Sequence, residues 1–262
     1  MSKNYVALLN GKIITIDPQD RIAEAVLIDG NRITAVGTNN EIKALMPGDC
    51  KTVDLGGRAV IPGIVDGHVH AENTVNGLEN GITVNQPDCG SLEEIFARIM
   101  AAAAKTPKGE WLVAKGSNLC NIKVKDGRFP TLQELDAISP EHPLMLTFEV
   151  HTMMLNTLAM KTIGWTDGTK DIPDHVTIIK DPQTGKFAGT FIESCMFLGK
   201  YMNPWSYDKL LQALRVGVVK HFVSKGVTTF HELAETHDGI RAWQQLKREG
   251  DLPLRIRLLL TH

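Results

Sequence analysis

Short apolar runs separated by turn residues occupy the first part of this 262-residue chain. The runs VALLNGKIITID, AVLIDGNRITAVG and CKTVDLGGRAV contain the dipeptides Asn10-Gly11 and Asp29-Gly30. Both dipeptides are typical of hairpin turns because their residues tolerate positive φ. We therefore predict a small antiparallel sheet over residues 1–59, with a short helical turn over residues 41–46. An independent β domain of unrelated function is the alternative interpretation.

The middle of the chain alternates between helical and strand patterns. Ser91–Lys105 and Thr131–Ser139 each begin with Ser or Thr followed three residues later by Glu, which is the capping-box pattern of a helix start. The apolar runs Glu110–Gly116 and Pro143–Val150 predict strands, and a helix is predicted from Thr152 to about Ile163.

Helix and strand patterns also alternate in the C-terminal part. Residues 164–190 are rich in Gly, Asp, Pro and Thr and predict an exposed hairpin or loop. In Ser206–Lys225, apolar residues recur at every fourth position, which predicts an amphipathic helix ended by the glycine that follows. A strand over Gly226–Ala234, a helix over Asp238–Glu249 and a strand over Leu254–Thr261 complete the pattern.

The stretch Val60–His70, VIPGIVDGHVH, is an apolar, β-branched run that ends in two histidines. It predicts a buried strand. Because side chains alternate between the faces of a strand, His68 and His70 project the same way and can reach one divalent ion. Two histidines without a ligand role are the alternative for an isolated His-x-His pair. Asp66 either orients one imidazole as a hydrogen-bond acceptor or caps the strand end.

Composition excludes several classes of partner. The chain is 43% hydrophobic and 22% charged with a net charge of -2, which is ordinary for a globular protein with a core. No block of Lys and Arg predicts binding to nucleic acid or to an anionic membrane. No apolar run approaches the roughly 18 residues of a membrane span. The four scattered cysteines predict reduced thiols and a cytoplasmic location.

Two groups of motifs resemble a known family. The string PGIVDGHVH, residues 62–70, resembles the signature of the amidohydrolase superfamily. The run over residues 129–160 together with DPQTGKFAGTFIES, residues 181–194, resembles its YtcJ-like branch, amidohydrolase family 3, so the likeness covers nearly the whole chain. One departure is KGSNLCN, Lys115–Asn121, where the branch usually has an aromatic residue and an acid. If that loop lines the pocket, the substrate preference differs from that of the branch.

The resemblance implies a fold and a division of the chain. The fold is α/β: the N-terminal part of a metal-dependent hydrolase (β/α)8 TIM barrel, with a small β-sandwich domain and a long insertion after barrel strand 1. Residues 1–59 would form part of the sandwich, residues 60–70 barrel strand 1, residues 71–205 an inserted α/β subdomain, and residues 206–262 barrel helices with strands 2 and 3. A barrel needs eight strands, and three are predicted here.

The resemblance also implies a chemistry. It is metal-dependent hydrolysis of a non-peptide C–N bond, in an amide or formamide-like small molecule, by water activated on a divalent metal. Zn is the expected ion, with Fe or Mn as alternatives, and a homo-oligomer is compatible with the superfamily. His68 and His70 are the expected metal ligands, whereas the other ligands and the general base are expected beyond residue 262. A catalytically inactive scaffold or binding module, or a half-barrel completed by another chain, are the alternatives.

Three more residues are candidates for substrate binding. His151 and Glu193 match a histidine and an acid of the branch, and His231 lies at the C-terminal end of a predicted barrel strand, where barrel active sites gather. Each has a structural alternative. His151 would be a structural histidine with its hydrogen bonds satisfied, Glu193 would form a salt bridge or cap a helix N-terminus, and His231 would be a solvated histidine at a loop end. No nucleophilic role is predicted for Cys120 or Cys195, which have no paired base in the sequence.

Overall fold

The computed structural model describes residues 4–85, 88–116, 124–148, 151–169, 172–194, 198, 201, 204–234 and 236–260. The chain divides into two compact units, Met1–Ile64 and Val65–His262. In the described ranges, no helix combines the length and the apolar character that crossing a lipid bilayer requires.

Two small sheets build the first unit. Its strands are β1 (Tyr5–Leu9), β2 (Lys12–Ile14), β3 (Ile22–Ala23), β4 (Ala25–Asp29), β5 (Arg32–Gly37), β6 (Lys51–Asp54) and β7 (Ala59–Val60), and its helix is α1 (Asn39–Leu45). One sheet has the order β5-β4-β1-β6 and the other the order β3-β2-β7. Ile13 of β2 and Val26 of β4 belong to one buried cluster, so the two sheets share an apolar core.

The turn predictions for this unit had different outcomes. The hairpin predicted at Asn10-Gly11 is wrong, because β1 and β2 belong to different sheets. The hairpin at Asp29-Gly30 is confirmed, since β4 pairs antiparallel with β5 and Gly30 has φ +59°. The prediction of a single antiparallel sheet is also wrong, because β6 runs parallel to β1 and β7 parallel to β2. Local turn residues permit a hairpin, but distant strands decide the pairing.

The second unit contains two larger groups of elements. Its strands are β8 (Ile64–Val69), β9 (Ile82–Thr83), β10 (Leu112–Gly116), β11 (Leu144–Phe148), β12 (Thr152–Leu155), β13 (Thr177–Lys180), β14 (Phe187–Ile192), β15 (Val227–Ala234) and β16 (Arg255–Leu260). Its helices are α2 (Ala71–Asn80), α3 (Leu92–Ala103), α4 (Leu132–Ile138), α5 (Thr157–Ile163), α6 (Tyr207–His221) and α7 (His237–Glu249).

These strands form a six-stranded sheet, β13-β14-β12-β11-β10-β9, and a three-stranded sheet, β16-β15-β8. In the larger sheet β9, β10 and β11 run parallel, whereas β12, β13 and β14 pair antiparallel. In the smaller sheet β8 lies next to β15 although residues 70–226 separate them along the chain. The strands of the larger sheet all come from this intervening part of the chain. The predicted domain limits stay a prediction.

Helices cover one face of the three-stranded sheet. Side chains of α2, α6, α7 and β15 meet in one buried cluster that includes Val75, Leu214, Phe230 and Trp243. The amphipathic helix predicted over Ser206–Lys225 is present as α6 followed by a short 3-10 turn. Its predicted end at a glycine is confirmed too, because the next residue adopts the left-handed conformation, with φ +87°, that glycine tolerates best.

The buried strand predicted over Val60–His70 needs correction. The stretch splits at Pro62-Gly63 into β7 and β8, which belong to different sheets. Most of β8 is exposed, with Val65 at 60%. The physical reason is that β8 is an edge strand of a sheet whose second face is not covered by the described residues.

One prediction for the middle of the chain is wrong, and another is confirmed in part. Thr152–Leu155, predicted as the start of a helix, is strand β12, and the helix begins only at Thr157. The periodicity of a short apolar run does not distinguish a helix from a strand. Here the segment forms a strand because it pairs with β11 and β14. The segment over residues 164–190, predicted as an exposed hairpin or loop, contains the hairpin of β13 with β14, but its Phe187 is buried rather than exposed.

The helix starts predicted from capping patterns are confirmed at Ser91 and Thr131. At Thr131 both halves of the capping box form with Glu134. At Ser91 only the hydroxyl half forms, because the carboxylate of Glu94 accepts the N–H of Gly90 instead.

The buried side chain of Asn156 forms hydrogen bonds to three segments next to the larger sheet. Its Oδ1 accepts the N–H of Leu144 at 3.0 Å and the N–H of Ala159 at 2.8 Å. Its Nδ2 donates to the carbonyls of Ser139 at 2.8 Å and His142 at 3.0 Å. The start of β11, the loop before it and the first turn of α5 therefore depend on one carboxamide.

We expect Asn156→Ala to lower the free energy of unfolding by about 3 kcal/mol, because it leaves several buried backbone groups unpaired at roughly 1–3 kcal/mol each. Urea unfolding followed by circular dichroism measures this change. The exposed amide of Gln183 provides the control, Gln183→Ala, with an expected change below about 0.5 kcal/mol. Equal effects of the two substitutions would contradict the structural role of Asn156.

Candidate active site

A pocket of about 560 Å³ lies in the second unit. Its walls come from the end of β8, the first turns of α2, and the ends of β9, β10 and β11. Because the carboxyl ends of parallel strands meet at one edge of a sheet, β9, β10 and β11 present their last residues together. The pocket therefore lies where the end of β8 faces the carboxyl edge of the larger sheet.

The two histidines of the His-x-His pair line this pocket. Val69 packs against the helical cluster, so His68 lies on the opposite face of β8, as the alternation of side chains predicts. The ring centroids of His68 and His70 are 5.4 Å apart, and the ring planes are inclined by 67°. Two imidazoles bound to one tetrahedral ion have centroids about 5 Å apart at a metal–nitrogen distance of roughly 2.1 Å. The pair therefore fits two ligands of one ion.

Further ligands are needed to complete such a site. Across the described ranges of the chain, no three or more His, Cys, Asp or Glu side chains are grouped so that they could hold an ion. A zinc site uses at least three protein ligands. The described residues alone therefore do not form a complete zinc site.

A buried carboxylate holds the segment that follows the histidines. Glu232 of β15 is fully buried, and its two oxygens accept the N–H groups of Ala71 at 2.6 Å and Glu72 at 2.8 Å. These donors have no partner within helix α2, and a negative charge at a helix N-terminus is favourable. Glu232 therefore ties the end of β15 to the residues immediately after His70. No local pattern in the chain indicates this contact, because its partners are about 160 positions apart.

A second buried carboxylate connects α2 with α7. Oε1 of Glu72 accepts the hydroxyl of Thr236 at 2.6 Å, and Thr236 caps α7. Gly239 in the first turn of α7 makes room for this carboxylate, since a Cβ there would stand 1.8 Å from Glu72 Oε2. The helix that carries His70 at its start is thus held at both β15 and α7.

The predicted substrate residues His151 and Glu193 contact each other. The Nδ1 atom of His151 lies 2.9 Å and 3.1 Å from the two carboxylate oxygens of Glu193, and the backbone N–H of Glu193 donates to the His151 carbonyl at 2.8 Å. His151 lines the pocket. Glu193 has φ +59°, a conformation that costs a residue with a side chain about 1 kcal/mol.

The structure places the other predicted residues as follows. Asp66 Oδ1 accepts the backbone N–H of His68 at 3.1 Å, a contact that the strand-end alternative expects. His231 lies beside Arg257 in the β15–β16 pairing and is absent from the described lining of the pocket. Cys120, Cys195 and residues 117–121 of the predicted pocket loop lie outside the described residues. The functional roles of all these residues stay predictions.

Sequence reasoning missed the positions of Asn73, Asn85 and Thr147 in the pocket, whereas Lys115 begins the loop, Lys115–Asn121, that it considered as a pocket wall. Asn85, Lys115 and Thr147 line the pocket, each at or just beyond the end of a strand of the larger sheet, and Asn73 lines it from α2. The available signal was the position of Lys115 and Thr147 at the ends of predicted strands. Their convergence depends on the parallel pairing of β10 with β11, which no local pattern in the sequence indicates.

One family model matches most of the chain, and two curated proteins are similar to it over nearly its whole length. The model described as "Amidohydrolase family" matches residues 51–262. N-substituted formamide deformylase of Arthrobacter pascens is 25% identical over 259 residues, which are 96% of this chain and 46% of that protein. Protein LONG AFTER FAR-RED 3 of Arabidopsis thaliana is 28% identical over 235 residues, which are 88% of this chain and 38% of that protein.

A solved structure shows the same fold. The crystal structure of an uncharacterized metal-dependent hydrolase from Pyrococcus horikoshii OT3 matches with a TM-score of 0.62 at 20% identity, covering 98% of this chain and 48% of that one. The shared fold is mixed α/β. The chain thus spans about half the length of the relatives it matches, or less.

We expect Glu232→Gln to lower the free energy of unfolding by about 2 kcal/mol, because the amide loses the charge at the start of α2 and presents an N–H group to one of the two donors. Urea unfolding measures the change. Glu141→Gln is the matched control, since Glu141 contacts Lys108 in an exposed ion pair worth about 0.5 kcal/mol. A loss no larger than that of the control would contradict the role assigned to Glu232.

Proposed function

The chain belongs to the amidohydrolase family, and on that premise we propose that it forms part of a metal-dependent hydrolase of non-peptide C–N bonds. The substrate class is an N-substituted amide or formamide. The observation that carries the proposal is the spacing of the His68 and His70 rings, which suits two ligands of one ion, in a pocket of about 560 Å³. The likeness to N-substituted formamide deformylase supports the choice of bond.

The three-stranded sheet would supply the first three strands of a (β/α)8 barrel. Helices cover one face of it, β15 and β16 run parallel, and Ile64 and Leu259 are exposed apolar side chains of its edge strands on the other face. A closed barrel has no exposed strand edges. Further strands, from the same polypeptide or from another chain, would pair with β16 and cover these side chains.

Each candidate residue has a role in this proposal. His68 and His70 would bind a divalent cation, with Zn expected and Fe or Mn as alternatives. When bound, such a cation polarises the scissile carbonyl and lowers the pKa of the attacking water. The other ligands and the general base would come from outside residues 1–262. Asp66 would hold the backbone of His68 through the hydrogen bond it accepts.

The His151–Glu193 pair would bind substrate. An ionised carboxylate only accepts hydrogen bonds, so Nδ1 of His151 carries a proton toward Glu193 and Nε2 is the nitrogen that would meet the substrate. His231 is the remaining candidate. Phe230 packs among the helices, so His231 lies on the opposite face of its sheet, which is also the face of His68.

In the complete polypeptide, we expect the double substitution His68→Ala and His70→Ala to remove bound metal and amide hydrolysis together, because both ligands of the chain are lost. Elemental analysis and hydrolysis of an N-substituted formamide are measured in parallel, and circular dichroism checks the fold. His175→Ala, at an exposed position, is the control and should keep both properties. Hydrolysis that persists in the metal-free double variant would refute the assignment.

The same measurements test the alternatives. Stoichiometric metal without hydrolysis of any N-substituted amide or formamide would favour the inactive scaffold or binding module. Metal and hydrolysis that emerge only when a second chain is added would favour a half-barrel completed by a partner.

A further inference from the structure

We propose that the carboxamide oxygen of Asn85 accepts the N–H group of the substrate amide in the candidate active site. The preferred substrates are then N-monosubstituted amides and formamides, because N,N-disubstituted ones have no N–H group. This inference rests on the proposed function and narrows its substrate class. It concerns a pocket residue that has no role in the proposed function.

Asn85 lines the pocket just beyond the end of β9. The residue before it, Val84, continues the pairing with β10, since its N–H group donates to the carbonyl of Lys115 at 3.0 Å. The side chain of Val84 is fully buried in the apolar cluster that contains Phe148. Because successive side chains of an extended chain alternate between two faces, Asn85 lies on the face turned away from that cluster, which is the side of the pocket.

The Oδ1 atom of Asn85 is an unused hydrogen-bond acceptor. It is buried, and no group in the described part of the chain donates to it. The side chain is not needed to hold the turn, because the backbone carbonyl of Asn85 already accepts the N–H of Cys89 at 3.0 Å. A buried acceptor without a donor costs free energy, and nearly all such atoms in native proteins are paired. The terminal torsion of a carboxamide is soft, so a ligand N–H group in the pocket would satisfy this oxygen.

Asn85 and the two histidines line the pocket from different sheets. His68 and His70 come from β8 of the three-stranded sheet, whereas Asn85 follows β9 of the larger sheet. The carbonyl and the N–H of a planar, trans secondary amide point in opposite directions across the C–N bond. A substrate whose carbonyl oxygen faces the histidines therefore directs its N–H group toward the wall that carries Asn85.

A methyl group on the amide nitrogen would be rejected for two reasons. It removes the only donor that the amide offers, and it places an apolar group against Oδ1 of Asn85, which then has neither substrate nor water as a partner. A site that hydrogen-bonds a substrate N–H group discriminates against an analogue without it more strongly than an apolar pocket discriminates between substrates that differ by one methylene group. The polar contact therefore decides the selectivity.

The test compares N-propylformamide with N-methyl-N-propylformamide, which differ by a methyl group in place of the amide hydrogen. In the complete polypeptide, we expect kcat/KM to favour N-propylformamide by about 10-fold or more. Asn85→Leu keeps the shape of the side chain but removes the acceptor, so it should lower this ratio by about 10-fold, through a higher KM for N-propylformamide. Asn85→Asp keeps an acceptor and should keep the preference. Asn40→Leu, at an exposed position, is the matched control and should leave the ratio unchanged.

A binding measurement gives a second readout that does not depend on turnover. Titrations followed by saturation-transfer NMR yield the Kd of each compound for the same variants. We expect tighter binding of N-propylformamide in the unsubstituted chain and in Asn85→Asp, and equal binding of the two compounds in Asn85→Leu. If Asn85→Leu does not fold, as judged by circular dichroism, Asn85→Ala removes the same acceptor and gives the same readout.

The outcomes separate this inference from the proposed function. Hydrolysis of both compounds at equal kcat/KM, or a preference that survives in Asn85→Leu, would overturn the role of Asn85 and leave the hydrolase intact. If neither compound is hydrolysed, the proposed function fails for these substrates, and the Kd values decide about Asn85. A preference in binding that disappears in Asn85→Leu would support the contact, and one that is absent at the outset or persists in that variant would refute it.

Discussion

The carboxylate of Glu232 fixes the position of the two candidate metal ligands. It accepts the first two N–H groups of α2, so the strand that carries it and the helix that follows His70 cannot move independently. The contact is charge-assisted and fully buried, and breaking it would leave a charged group without water. The position of the helix that begins directly after His70, and with it the setting of the two histidines, therefore depends on this capping interaction.

Helix α2 extends that constraint to the rest of the pocket. Its first turn is held by Glu232, its Glu72 contacts Thr236, and its Asn73 accepts hydrogen bonds from Lys115. One short helix therefore sets the histidines of the three-stranded sheet against the carboxyl edge of the larger sheet. The pocket results from this arrangement rather than from any single loop, which explains why its polar residues are far apart in sequence.

Features that depend on residues close together in the sequence could be predicted, whereas features that depend on residues far apart could not. The helix start at Thr131, the amphipathic helix after Ser206 and the common face of the histidines depend on residues a few positions apart, and their patterns are visible in the chain. Other features depend on partners that are distant in sequence. These are strand β12, the placement of β1 and β2 in different sheets, and the contact of Lys115 with Asn73. No local pattern encodes those partners. The segment after Thr152 is therefore predicted as a helix, although sheet pairing makes it a strand.

The open sheet and the proposed metal site share one requirement. The face of the sheet that bears His68 is the face that helices leave uncovered, because Val69 and Phe230 point into the helical cluster. Any strand that extends the sheet beyond β16 places every second side chain on that same face. The strands that would cover the exposed apolar residues are therefore also the elements able to bring further ligands toward His68 and His70. Covering the sheet and completing the site would occur in the same step of folding or assembly.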